Sequence, residues 1–350
     1  MSTYGLIADL PLTIEQHALE RLELPISTEF TRVTTVIHLR GAGDEGLGED
    51  VTYSAEEHER FAGLAAALPL AGEWTVDAFS RHLDGLELFP EPPQMDAFRD
   101  YRRWALESAA LDLALRQSGA SLADALGREP RPVRFVVSMR LGSERSSIEP
   151  VQRLLEAHPT TRFKLDPLPD WTPELFAELG ELDVVDVADL KGQYRGTVVD
   201  NPPDPVLYRL TAEGFLDAWL EDPALTSETD PVLAPHRDRI TWDAPIHSVA
   251  DIEALPFPPR TVNIKPSRFG SVRRLFETYD YCAERAIGMY GGGQFELGVG
   301  RGQIEYLASL FHPEMPNDVA PGGYNVSPLD PGLPESPLEI SASPSGFRWG

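Results

Sequence analysis

Four residues able to act as acids, bases or metal ligands recur through the second half of this 350-residue chain, Asp189, Glu221, Asp243 and Lys265, with Lys164 upstream. The gaps between them are 25, 32, 22 and 22 residues. Each ends, or directly follows, a short apolar or β-branched run, such as Val184-Val185-Asp186-Val187-Ala188-Asp189 or Thr261-Val262-Asn263-Ile264-Lys265. A strand, a loop and a helix together occupy roughly that length. Successive strands of a parallel barrel therefore deliver the five side chains to one rim. Three carboxylates with two amines at one rim describe a divalent-metal site flanked by two bases.

The chemistry of such a set is specific. A hard cation such as Mg²⁺ takes oxygen ligands in octahedral geometry, and Asp189, Glu221 and Asp243 supply three positions. A substrate carboxylate completing the shell has its charge withdrawn, which eases loss of a proton from the neighbouring carbon. Lysine suits that proton transfer because nearby positive charge lowers its pKa. Lys164 and Lys265, on strands across a barrel from each other, approach from opposite faces.

The elements that must position these residues follow from patterning. From Val133 to Gly292 short β runs alternate with helical segments, which predicts a parallel sheet covered by helices. Helices are expected near 148–157 and 272–286. Before this region the chain reads as α+β. Arg32 to Leu39 is strand-like, Gly41 to Gly48 reads as a glycine-rich turn, and Ser54 caps a helix over 54–67. The helix from Asp96 to Gly119 is apolar on two faces, through Trp104, Leu111 and Leu115 and through Leu106, Ala109 and Leu113, which suits an element lying between two domains. The tail after Asp318 is rich in Pro, Gly and Ser, with Leu338-Glu339-Ile340 strand-like, and is expected to wrap back over the first domain.

Composition bounds the rest. With 42% hydrophobic and 25% charged residues this is an ordinary globular chain. The net charge of -26 argues against nucleic acid or an anionic membrane as partner. The single Cys282 allows no intrachain disulfide and reads as a core residue. The first residues lack the basic start and apolar run of a signal peptide, and no apolar stretch reaches membrane-spanning length. The expected location is cytoplasmic, the expected partner a small-molecule carboxylate substrate, and a homo-oligomer is compatible with the sequence.

The order of short motifs resembles the enolase superfamily in its muconate-lactonizing and o-succinylbenzoate-synthase-like subgroup, over about Val33 to Gly323. Gly46-Leu47-Gly48-Glu49 is similar to the family's turn in the capping domain, and Ala109 to Ala114 to the helix before its barrel. Arg162-Phe163-Lys164 resembles Lys-x-Lys of the second strand; Asp189-Leu190-Lys191-Gly192, Glu221-Asp222-Pro223 and Asp243 resemble the next three strand ends. Lys265-Pro266-Ser267 and Gly291 to Gly300 resemble the sixth-strand lysine and the seventh-strand loop. The resemblance implies a modified TIM-type (β/α) barrel at 131–320, an α+β cap at 1–130 and a tail at 321–350 returning to the cap. It implies Lys164 and Lys265 as catalytic residues and Mg²⁺ (or Mn²⁺) on Asp189, Glu221 and Asp243. Arg162, Gly292, Gln294 and Glu296 are the implied substrate-binding residues. The implied chemistry is proton abstraction α to a carboxylate. It leads to dehydration, to racemisation or epimerisation of N-acyl amino acids or dipeptides, or to cycloisomerisation; a catalytically silent carboxylate-binding relative is the rival. Three departures from the pattern are Arg162 for the first lysine of Lys-x-Lys, Lys191 where the family has Asn, and Ala244-Pro245 after Asp243.

Overall fold

The computed structural model describes residues 2–27, 30–142, 145–197, 199–325 and 329–349. The chain opens with β1 (Pro11–Ile14), β2 (Gln16–Pro25), β3 (Thr31–Gly41) and β4 (Asp44–Asp50). These are followed by α1 (Ala55–Ala65), β5 (Gly72–Thr75), α2 (Val76–Asp84), α3 (Ala97–Gln117) and α4 (Leu122–Leu126). Strands β2, β3 and β4 form an antiparallel sheet.

The expected turn at 41–48 is instead a hairpin. Gly41 pairs with Asp44, so only Ala42 and Gly43 form the loop, at φ 51° and 88°. Two left-handed residues in a two-residue loop match the right-handed twist of the flanking strands. The glycines 46 and 48 lie in β4, on one face, because strand side chains alternate. Their reason is contact with α3: a Cβ on Gly46 would lie 2.2 Å from the Ala109 carbonyl oxygen, and one on Gly48 would lie 2.0 Å from that of Ala105. Glycine thus lets the sheet meet the helix backbone directly. Helix α3 packs on β4 and also on the short helix Pro266–Phe269, and every residue from Trp104 to Leu115 is buried.

The second part alternates strand and helix. It runs β6 (Val137–Met139), α5 (Glu149–Ala157), β7 (Phe163–Leu165), α6 (Pro173–Leu182), β8 (Val185–Asp189), α7 (Pro205–Gly214), β9 (Trp219–Glu221), α8 (Asp230–Leu233) and β10 (Ile240–Thr241). Then come α9 (Val249–Glu253), β11 (Thr261–Ile264), α10 (Pro266–Phe269), α11 (Val272–Glu284), β12 (Gly288–Gly291) and α12 (Val299–Phe311). Several of these helices start where a side-chain oxygen takes the orphan N–H groups: Thr172 for α6, Asp204 for α7, Ser248 for α9 and Ser271 for α11. Pro173 and Pro205 follow two of these caps, where a missing N–H costs nothing.

Strands β6 to β10 form one parallel sheet in sequence order, and β11 pairs with β12. Asn263 N donates to the Trp242 carbonyl at 2.9 Å, joining the two sheets. Closure comes from Asn317 and Asp318, which bridge in parallel to Phe135 and Gly292. The Asn317 side chain is the staple: its Oδ1 accepts from Gly291 N at 2.7 Å, and its Nδ2 donates to the carbonyls of Arg134 and Met315 at 2.9 Å. The result is a modified (β/α) barrel with an N-terminal β-rich layer. Among the described residues, no helix is long and apolar enough to cross a membrane.

Of the tail, residues 326–328 and 350 lie outside the described residues. Leu338 bridges Val133, and Gly346 bridges Ser121. Phe347 N and Arg348 Nε each donate to Asp112 of α3 at 2.7 Å. The strand-like reading of 338–340 reduces to the single bridge at Leu338.

Three stability predictions follow from packing and burial. Gly48→Ala should cost about 3 kcal/mol, since overpacking against helix backbone has no side chain to yield. Gly63→Ala in α1, where nothing lies within 4 Å of the new Cβ, should stabilise by about 0.5–1 kcal/mol. Denaturant midpoints of the two variants check both signs. Burial holds the His312 ring down at about 4, despite its bond to Asn317 Oδ1 at 2.7 Å. The unfolded imidazole takes its proton first, so this stability is full above about pH 6.5 and is lost as pH falls toward 4, by about 3 kcal/mol. Wild type against His312→Gln, compared over that window, should differ by this slope.

Candidate active site

The carboxyl ends of five neighbouring strands carry the ionisable set. Lys164 is the middle residue of β7, Asp189 ends β8 and Glu221 ends β9. Asp189 and Glu221 are register partners, so their side chains leave the sheet side by side. Asp243 follows β10 by two residues, and Lys265 follows β11 directly, at the start of α10. Asp189, Glu221 and Asp243 have no solvent exposure, Lys164 has 1% and Lys265 has 8%. The structure brings all five into one buried cluster.

Within it, Lys164 Nζ contacts Glu221 Oε1 and lies 3.3 Å from Asp189 Oδ2 and 3.6 Å from Asp318 Oδ2. Lys265 Nζ lies 3.0 Å from Asp243 Oδ2. Arg268 Nη1 lies 2.7 Å from Asp243 Oδ1, and Tyr194 OH donates to Asp243 Oδ2 at 2.8 Å. Tyr290 OH and Asn263 Nδ2 donate to Glu221 Oε2, the latter at 3.3 Å. Lys191 Nζ contacts Asp189 Oδ2. Asp222 belongs to the same buried cluster, and its carboxylate accepts from the backbone N–H groups of Asp243 and Ala244, both at 2.8 Å. That bond pair fixes where Asp243 sits.

Acids dominate this cluster electrostatically. Burial pushes Glu221 up and Lys164 pulls it back, but Asp189, Asp243 and Asp222 leave it at about 8. Asp222 is pushed to about 7 by burial and by Asp243 and Asp189. Burial raises Asp189 and Asp243 too, yet Lys191 and Lys164 hold the first below the usual carboxylate range, and Arg268 and Lys265 hold the second there. Burial lowers Lys164, but Glu221, Asp189, Asp318 and Asp243 outweigh it and hold the ammonium well above the ordinary lysine value. Neutralising those carboxylates would leave burial, which favours the free amine.

As the side chains stand, no group of three or more His, Cys, Asp or Glu among the described residues is arranged to hold a metal ion. Each carboxylate is turned onto an ammonium or guanidinium. The donor set nevertheless fits a hard divalent cation: all-oxygen, on three neighbouring strand ends, and short of positive charge, as the raised Glu221 records.

The other sequence-predicted residues divide. Gly292 faces Lys265, since a Cβ there would lie 3.0 Å from Lys265 Cε. Gln294 and Glu296 are buried in the same loop, where Gln294 N donates to Glu296 Oε1 at 2.7 Å. Among the described residues, Gln294 Nε2 and Glu296 Oε2 have no hydrogen-bond partner. Arg162 does not join the site. It precedes β7, at the opposite end of the strand from the rim, and its guanidinium pairs with Asp186 Oδ1 at 2.6 Å. A register shift between β7 and β8 leaves Asp186 as the extra residue, and Arg134 binds its other oxygen at 2.7 Å. His247 caps carbonyls of Ala244 and Arg268, both at 3.1 Å.

Sequence reasoning missed Arg268, Tyr194, Tyr290 and Asn263, single polar residues within otherwise apolar or loop segments. It also missed two clamps from the N-terminal sheet. Arg32, buried in β3, donates to the carbonyls of Gln294 at 2.8 Å and Phe295 at 3.0 Å. Glu49, in β4, accepts from Leu297 N at 2.7 Å and Gly300 N at 2.8 Å, at the start of α12.

Comparison with known proteins agrees with this architecture. Two models of one family, described as the N-terminal and C-terminal domains of a domain of unknown function (DUF8230), match residues 5–125 and 129–326. The o-succinylbenzoate synthase of Geobacillus stearothermophilus is 29% identical over 226 residues, 62% of this chain and 58% of that protein; the chain thus matches under two thirds of that relative. An N-succinylamino acid racemase of Amycolatopsis sp. is 26% identical, covering 91% of this chain and 94% of the relative. A crystal structure of an enolase-superfamily member from Listeria innocua superposes with a TM-score of 0.67 at 20% identity, covering 88% of this chain and 86% of that one.

Proposed function

The chain belongs to the DUF8230 family and has the enolase-superfamily fold, and from that premise we propose a Mg²⁺-dependent enzyme that abstracts a proton α to the carboxylate of a small-molecule acid. In this reading residues 1–130 are the cap, 131–320 the catalytic barrel and 321–350 the returning tail. The carrying observation is the pair of buried lysines bracketing three carboxylates on adjacent strand ends. The relatives named for o-succinylbenzoate synthesis and for racemisation of N-succinylamino acids support the substrate class. Elimination of water from a cyclohexadiene carboxylate comes first, and racemisation or epimerisation of an N-acyl amino acid or dipeptide second.

Asp189, Glu221 and Asp243 would hold Mg²⁺, or Mn²⁺ in its place. Bound there, the ion supplies positive charge to a substrate carboxylate and so stabilises the charge that builds as the α-proton leaves. The chain's own groups do the rest. Lys164 Nζ takes the proton on one face. Lys265 stands on the other, returning a proton in racemisation or steadying negative charge in elimination. Arg268 and Asp222 fix Asp243 from two sides, while Tyr290 and Asn263 fix the outer oxygen of Glu221. Gly292, Gln294 and Glu296 line the substrate side, where the unpartnered Gln294 Nε2 and Glu296 Oε2 offer one donor and one acceptor. Exclusion of water is built in, since the reacting groups are buried.

A second reading is a catalytically silent carboxylate binder. It is motivated by the cations already seated on each acid. Metal titration separates the two, because the silent relative binds no Mg²⁺ at millimolar concentration.

In deuterated water with Mg²⁺, a screen of N-succinyl amino acids, dipeptides and cyclohexadiene carboxylates should reveal α-deuterium uptake. Lys164→Ala should lower it about 10³-fold; uptake at the wild-type rate would remove Lys164 as the base. Glu221→Gln should weaken Mg²⁺ binding by about 10–100-fold in calorimetry. An unchanged affinity would take Glu221 out of the ligand set.

A further inference from the structure

Lys191 stands two residues after Asp189 and folds back on it. Its backbone N–H donates to Asp189 Oδ1 at 3.1 Å, and its Nζ contacts Oδ2 of the same carboxylate. This grip needs the left-handed backbone that Lys191 adopts, at φ 55°. Such a conformation is uncommon for a residue with a long side chain, and it must be held by its contacts. Both Asp189 oxygens are therefore engaged by one residue.

A second seat lies next to the first. Asp166, two residues after Lys164, is buried, and its Oδ1 has no hydrogen-bond partner among the described residues. That oxygen is 3.6 Å from Lys191 Nζ. Its other oxygen, Oδ2, is taken by Arg140 Nε at 3.2 Å. A buried carboxylate oxygen without a donor is costly, and here an ammonium stands just beyond bonding distance. The Lys191 side chain remains 17% exposed, so it has room to swing.

We propose that Lys191 is a built-in competitor of the divalent cation for Asp189, and that Asp166 Oδ1 is the seat its ammonium takes when displaced. This rests on the reading of Asp189 as a metal ligand. An ammonium and a dication cannot share one carboxylate oxygen without strong repulsion. Ion entry therefore requires Lys191 to leave, and the unfilled Asp166 oxygen receives it. The pair sets a threshold for metal loading: Lys191 raises it and Asp166 lowers it.

The test is a double-mutant cycle on Mg²⁺ affinity, read by calorimetry and by the Mg²⁺-dependent rise in thermal midpoint, with folding of each variant checked by circular dichroism. Lys191→Met should tighten Mg²⁺ about tenfold or more, and Asp166→Asn should weaken it about tenfold. With both changes the affinity should equal that of Lys191→Met alone, because Asp166 then has no lysine to receive. Lys191→Arg, which keeps the charge, should stay within about threefold of wild type. Unchanged or weaker binding in Lys191→Met overturns the competitor role. An equal Asp166→Asn effect in both backgrounds overturns Asp166 as the seat. No Mg²⁺ binding in any variant at millimolar concentration overturns the metal reading itself, and this inference with it.

Discussion

Burial of like charge at the strand ends is the constraint to which the rest of this structure answers. Asp189, Glu221, Asp222 and Asp243 are all fully removed from solvent within one cluster. An uncompensated buried carboxylate costs several kcal/mol. Compensation is distributed by type. Asp189 and Asp243 receive full cations from Lys191, Lys164, Lys265 and Arg268. Asp222 receives two backbone N–H groups. Glu221 shares Lys164 with Asp189 and, among the described residues, otherwise has the neutral donors Tyr290 and Asn263, and it is left well above its usual range, at about 8. The cluster tolerates its charge without being balanced, which is the condition a site needs if a further cation is to gain by entering.

The same cluster explains why the N-terminal sheet and the barrel act as one unit at this rim. The loop from Gly292 to Gly298 carries Gln294 and Glu296, yet its backbone is held from the other layer. Arg32 binds its carbonyls, and Glu49 binds its last N–H groups at the start of α12, where a carboxylate also meets the favourable end of the helix dipole. Phe295, between these clamps, sits at φ 60°. Lys191 and Asp222 are also left-handed non-glycine residues, so three rim segments carry backbone strain. Strain held by buried hydrogen bonds gives fixed positions rather than mobile ones.

Much of the barrel was legible because a single rule was repeated. A short apolar run ending in Lys, Asp or Glu marks a parallel strand whose last side chain reaches the rim, and five runs at similar spacing reinforce each other. The two-faced pattern of α3 was legible for the same reason: both of its partners are apolar or glycine surfaces. What escaped was non-repeating. Asn317 closes the barrel through one side chain, and no pattern precedes it. Arg32 and Glu49 look like ordinary charges on a strand, and only the distant loop they meet gives them a role. Glycines 46 and 48 suggested a turn because glycine marks turns more often than helix–sheet contact. Arg162 looked like half of a rim pair, and the register shift at Asp186 gave it a nearer partner at the far end of the strand. Strand β2 alternates, but its residues are largely exposed, so periodicity carried little contrast.

The cations at this rim stand out more when set against the whole chain. A net charge of -26 attracts divalent ions to the molecule as a whole, so attraction alone cannot make one site selective. Selectivity then has to come from what an ion must displace and what it must satisfy. Under the proposed metal reading, an ion at Asp189 would displace an ammonium that has another carboxylate oxygen within reach. At Glu221 it would satisfy an acid that burial and crowding leave short of positive charge. At Asp243 it would meet a carboxylate with Lys265 on one oxygen and Arg268 on the other, positioned from behind by Asp222. The three proposed ligand positions would therefore make unequal demands. Asp243 is held in place by Asp222 but carries a cation on each oxygen, Glu221 is short of positive charge, and Asp189 would first have to be released from Lys191. In an acid-rich protein, that inequality would separate a metal site from the general pull of the surface.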